Sequence, residues 1–98
     1  MVIEWLEFRV PSDDKDIFLK HDQAIWTRAL AGYKGFLGKE ILSSPDDHSL
    51  IIFMIRWQTR ALWKAIPSHE LALIDSQFSE AMGDISYEML ESKEYFVI

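Results

Sequence analysis

"SLIIFMIRW", residues 49–57, is apolar at every position from Leu50 to Ile55. Side chains alternate along a strand, so Leu50, Ile52 and Met54 fall on one face and Ile51, Phe53 and Ile55 on the other. A short run this rich in β-branched and aromatic residues predicts a central strand covered on both sides. Just before it, "FLGKEILSS" (residues 36–44) predicts a partner strand. Pro45-Asp46-Asp47-His48 joins the two as a hairpin with a loop of about five residues.

The flanking stretches complete a pattern. "VIEWLEFRV" (Val2–Val10) predicts a first strand. Val2, Leu6, Phe8 and Val10 share a face with Glu4, and Ile3 and Trp5 share the other with Glu7 and Arg9. Pro11-Ser12 ends it. Ser12 is placed to cap a helix, and Asp13, Asp14 and Asp16 suit the positive end of its dipole better than they suit a metal. That helix runs to about Leu30. Ile17, Phe18, His21, Ala24, Ile25 and Ala29 form its apolar stripe, widened by Leu19, Trp26 and Leu30.

"GYKGFLGKE" (residues 32–40) follows. It opens a strand, whereas phosphate-cradling glycines sit at the mouth of a helix. Gly32 therefore reads as the helix stop, Gly35 as a position needing positive φ, and Gly38 as a bulge or close approach. After the third strand, Thr59 caps a short helix carrying Leu62 and Trp63, broken by Pro67. Ser68 caps a longer one, with Leu71, Ile74, Phe78, Ala81 and Met82 buried and Gly83 at its end. "ISYEMLESKEYFVI" is a last strand. The order β-α-β-β-α-β is the ferredoxin-like α+β arrangement, one domain over residues 1–98 with an antiparallel sheet.

Such a sheet carries helices on one face only, so a central strand apolar on both faces needs a second cover. Another copy of the sheet would supply it, and the chain is expected to be a homodimer. A composition 49% hydrophobic, with four Trp, six Phe and three Tyr, points the same way, since a chain of 98 residues buries only roughly 60–70% of its unfolded surface. The net charge of −6 opposes phosphate backbones, so no nucleic-acid partner and no anionic membrane surface are expected. No apolar run approaches the roughly 20 residues of a membrane span. Met1-Val2-Ile3-Glu4 does not begin a signal peptide, which leaves the cytoplasm as the expected location. The absence of cysteine removes thiolate chemistry and disulfides.

"VIEWLEFRVP", "DQAIWTRALAGYKGFLGKE" and "IRWQTRALWKAIP" together resemble a small, largely cyanobacterial family of the dimeric α+β barrel group. That group includes the antibiotic-biosynthesis-monooxygenase-like (ABM) domains, and the resemblance spans nearly the whole chain. It implies two ferredoxin-like sheets paired into a barrel, with a small hydrophobic ligand between sheet and helices. Some members of the group oxygenate aromatic substrates without metal or bound cofactor, and others degrade haem. The haem-degrading members share an Asn on the first strand, a Trp near the end of the third and a His on the second helix. Trp57 and His69 lie in comparable places, but this chain has no asparagine. The resemblance thus implies binding, and oxidation without cofactor, of a small aromatic or hydrophobic molecule. The alternative is a non-catalytic ligand-binding or interaction module.

Among individual residues, His21 on the helix stripe is the candidate acid or base, or else a structural histidine with a paired ring nitrogen. Asp22, one step round, reads as a helix-surface or inter-subunit hydrogen-bonding residue. Glu4 and Arg56 each interrupt an apolar strand face and must find partners, in each other, Lys39 or Glu40, where they could polarise a ligand. Trp5, Trp26, Trp57 and Trp63, with Phe53, could wall an aromatic-accepting pocket or simply fill a core and an interface. No metal site is expected: "HELAL" (69–73) lacks the second His of the zinc-protease motif, and Asp46-Asp47-His48 is a turn.

Overall fold

Strands β1 (Val2–Arg9), β2 (Phe36–Ser43), β3 (Leu50–Trp57) and β4 (Glu88–Phe96) form one antiparallel sheet in the computed structural model, which describes residues 1–98. Their order is β2-β3-β1-β4, so β3 and β1 are central. β1 is bonded to β3 on one side and to β4 on the other. The chain crosses from β1 to β2 through a helical rod over residues 15–30, and from β3 to β4 through α3 (Arg60–Lys64) and α4 (Ser68–Met82). This is the expected ferredoxin-like α+β fold.

Burial in β3 alternates as a one-sided helix layer requires. Ile51, Phe53, Ile55 and Trp57 are buried, while Leu50, Ile52, Met54 and Arg56 on the other face are only half covered. The core gathers the covered face of β3 with Val2, Phe8 and Val10, and with Phe18, Leu30, Phe78 and Met82 from the helices. Phe18 lies at its centre, stacked on Phe53 at 6.0 Å and edge-on to Phe78 at 5.5 Å.

Two of the expected caps do not form. Ser12 opens a 3-10 turn, Ser12–Asp14, whose closing bond is the Asp14 N–H donating to the Pro11 carbonyl. Ser68 is the first helical residue of α4 rather than its cap; Pro67, with its fixed φ, leads in. Thr59 does cap α3, its hydroxyl accepting from the Leu62 N–H at 3.1 Å. The hairpin loop is closed by Asp47, whose Oδ1 accepts from both the N–H and the hydroxyl of Ser49.

Candidate functional site

The site is set by two local irregularities in the backbone. The first lies in β2. Phe36 stands opposite Trp57 and Lys39 opposite Ile55, with a register shift between Phe36 and Gly38. Partners opposite each other share a face, so Phe36 and Lys39 both point to the helix side although they are three positions apart. In a regular strand that spacing would put them on opposite faces. The extra residue is a β-bulge, and Gly38, at φ 156, supplies a conformation that side-chain-bearing residues rarely adopt. The bulge turns Lys39 inward and Glu40 outward.

The second irregularity lies in the rod. It is α-helical over Lys15–Asp22 (α1), π-helical over Gln23–Thr27, and α-helical again over Arg28–Leu30 (α2). In a regular α-helix of 3.6 residues per turn, Phe18 and Leu30 would face well apart. The wider π turn absorbs that drift, so Phe18, Asp22, Trp26 and Leu30 all border the same space. This displaces the expected stripe. Ile17 and Ala24 are exposed, while Leu30, expected at the edge of the stripe, is buried.

These two devices bring Asp22 and Lys39 together. Lys39 Nζ donates to Asp22 Oδ2 at 2.5 Å and to Thr27 Oγ1 at 3.0 Å, and sits 3.9 Å above the centre of the Phe53 ring. Both side chains are 3% exposed. Loss of water pushes the Asp22 carboxyl up and the Lys39 ammonium down, and their mutual attraction opposes both shifts. Each charge therefore depends on the other for its counter-charge. Glu4 stands near them on β1. Its Oε1 accepts from the Trp57 indole N–H at 3.1 Å, and burial raises its carboxyl above the ordinary range.

The polar group forms one wall of a cavity of about 440 Å³ between sheet and helices, within the range of small-molecule sites. Thirteen of the eighteen lining residues are hydrophobic, so a ligand there meets apolar surface nearly everywhere but at this wall.

Of the residues singled out from the sequence, Glu4, Trp26, Phe53 and Trp63 line this cavity. Four others do not. His21 lies one step round the rod from Asp22, half-buried and outside the cavity, because the inward face is centred on Phe18 and Asp22. Trp5 is on the opposite face of the sheet, edge-on to Tyr95 at 6.1 Å. Arg56 shares that face and pairs with Glu40, not with Glu4. Trp57 points to the helix side but is fully buried as core, reaching the site only through its bond to Glu4. His69 is exposed in the first turn of α4, away from the cavity, so it offers no axial ligand there.

Asp22 and Lys39 are the residues that the sequence reading placed least well. Apolar periodicity passes over a buried charge, and two-residue alternation passes over a bulge. The traceable signals are Asp22 four residues from both Phe18 and Trp26, and a glycine directly before Lys39.

No protein-family model matches the chain, and no curated protein matches it. Solved structures do. A Nitrosomonas europaea protein assigned as an antibiotic biosynthesis monooxygenase superposes with a TM-score of 0.68 at 17% identity, covering 100% of this chain and 99% of its own. A Bordetella bronchiseptica protein assigned in the same way gives 0.72 at 10%, covering 99% and 96%. SnoaB, a cofactor-independent oxygenase from Streptomyces nogalater, gives 0.65 at 13%, covering 99% and 92%. The chain has the ABM-type fold. At these identities the ABM likeness is one of backbone architecture, end to end, and the side chains of the cavity are this chain's own.

Proposed function

We propose that this chain is a homodimeric ABM-like protein that binds a small hydrophobic or aromatic molecule and oxidises it without metal or bound cofactor. The observation that carries the reading is the apolar cavity with its buried Asp22–Lys39 pair on one wall. Burying such a pair is costly, and apolar side chains would fill the space at least as stably. A charged pair facing a cavity is better suited to chemistry than to packing. The ABM-type fold, shared with a cofactor-independent oxygenase, supports the same reading.

The roles follow from position. Phe53, Trp26 and Trp63 hold the ring of the ligand. Lys39, held by Asp22 and Thr27, steadies negative charge that develops on a substrate oxygen. Glu4 meets the ligand's second polar group. An oxygenase with no metal or cofactor takes the electrons for dioxygen from the substrate itself, so stabilising the substrate anion is the protein's principal task. The homodimer is supported by the open face of the sheet, where Trp5, Ile52 and Met54 remain half exposed.

A thermal-shift screen against quinones, polycyclic phenols and polycyclic aromatic amines, followed by oxygen-electrode measurements on the hits, tests the reading. Stabilisation by such compounds and oxygen uptake abolished in Lys39→Met are expected. Stabilisation with no oxygen uptake would leave a binding module, and no stabilisation by any compound would overturn the site. Light scattering at micromolar concentration is expected to report a dimer, and a monomer would refute that part.

A further inference from the structure

Four ionisable side chains with opposed charges line the cavity: Glu4, Asp22 and Asp75 as carboxylates, Lys39 as the one ammonium. Three carboxylates against one ammonium leave two formal negative charges. The Lys39 ammonium already has one of these carboxylates as its partner, Asp22 at 2.5 Å, and a bond to Thr27 at 3.0 Å. Glu4 has no such partner. Its one hydrogen bond comes from the neutral Trp57 indole, and no salt bridge reaches it. Lys64 and Lys39 attract its charge only from beyond salt-bridge distance, and Lys64 itself pairs with Glu94 at 3.6 Å and lies over the Trp63 ring. Asp75 projects from α4 at the exposed side of the cavity and forms neither a hydrogen bond nor a salt bridge.

We infer that the ligand of this cavity is an amine: an aromatic or otherwise apolar body bearing one protonated amino group, seated with its ammonium against Glu4. The inference rests on the cavity being a ligand site and specifies what that site accepts. A carboxylate-bearing ligand would add negative charge to a wall that already has an excess. A neutral apolar ligand would displace water from Glu4 and leave its carboxylate with the indole alone, a poorly compensated buried charge. An ammonium answers both problems, supplying counter-charge and a charge-assisted hydrogen bond. The wall already accommodates one such cation on a ring face, Lys39 over Phe53, and Trp26 and Tyr87 offer further rings to a second. Asp75 on the way in adds a second negative charge that draws a cation toward the cavity.

Calorimetric titration of the full-length protein with three matched probes decides the matter: 2-(1-naphthyl)ethylamine, 2-(1-naphthyl)ethanol and 1-naphthylacetic acid. The amine is expected to bind at least about tenfold more tightly than the alcohol, as a charge-assisted hydrogen bond is stronger than a neutral one, and the acid more weakly than both. In Glu4→Gln the amine's advantage is expected to vanish while the alcohol's affinity is kept, which also reports that the variant is folded. An alcohol that binds wild-type protein as well as the amine does would overturn the inference and leave the ligand site standing. Failure of all three to bind would overturn both. An amine preference that survives in Glu4→Gln would overturn the assignment to Glu4.

Discussion

Lys39 and Glu40 are neighbours in β2 and each forms an ion pair, yet the two pairs lie on opposite faces of the sheet and differ in kind. Lys39 and Asp22 are 3% exposed, under the helices. Glu40 and Arg56 are 51% and 32% exposed, on the open face. Solvent and salt screen the second pair, and exposed pairs of that type contribute about 0–1 kcal/mol. The first pair has no water to fall back on, so each member depends on the other. Burial, not the identity of the residues, decides what an ion pair does.

The largest effect that would test this contrast is on the buried side. Asp22→Asn leaves the Lys39 ammonium buried without its carboxylate and is expected to destabilise the fold by about 3–5 kcal/mol in urea unfolding. Asp22→Leu combined with Lys39→Met removes both charges and is expected to recover most of that loss. A double variant as unstable as the single would mean that the pair itself, not the orphaned charge, supports the fold.

Next in size is the bulge that separates the two faces. Gly38→Val meets no steric obstacle, since a Cβ there has nothing within 4 Å, but it must adopt φ 156. A cost of about 1–3 kcal/mol is expected from the backbone alone. A neutral result would show that the bulge is held by packing and not by glycine.

A smaller, pH-dependent effect belongs to Glu4. Its folded-state pKa is raised by burial. At acid pH below the ordinary carboxylate range, both folded and unfolded chains hold the proton and Glu4 contributes nothing. As pH climbs, the unfolded chain releases its proton first, so stability falls until the raised folded pKa is passed. Glu4→Gln is expected to lack this decline, and parallel Tm-against-pH curves for the two proteins would contradict the raised pKa. Smallest of all is Arg56→Ala on the open face, expected to change stability by less than about 1 kcal/mol. A loss as large as that of Asp22→Asn would erase the contrast.

Much of the architecture is legible in residue order. The two-faced run Leu50–Ile55, the turn residues of the hairpin, Thr59 and Gly83 all act through nearest neighbours along the chain, and the expected βαββαβ order is the observed one. The candidate site is legible only in part. Glu4 could be located because a charge on an otherwise apolar face stands out in a regular strand. Lys39 could not, because one additional bulge residue reverses which side every following side chain takes. His21 was favoured over Asp22 because titration near neutrality is visible in a residue type, whereas burial is not.

What the sequence determined by itself, then, is the class of fold, the central position of β3 and the apolar character of the space beneath it. Those follow from local periodicity and from the low cost of burying hydrocarbon. Only the tertiary structure decided that Asp22, Thr27 and Lys39 meet, that Arg56 faces away from Glu4, and that Glu4 and Asp75 line the cavity without a salt bridge. A buried charge is tolerable only beside its partner, and here the partners lie 17 residues apart, in a rod and a strand whose relative rotation is set by a π turn and a bulge.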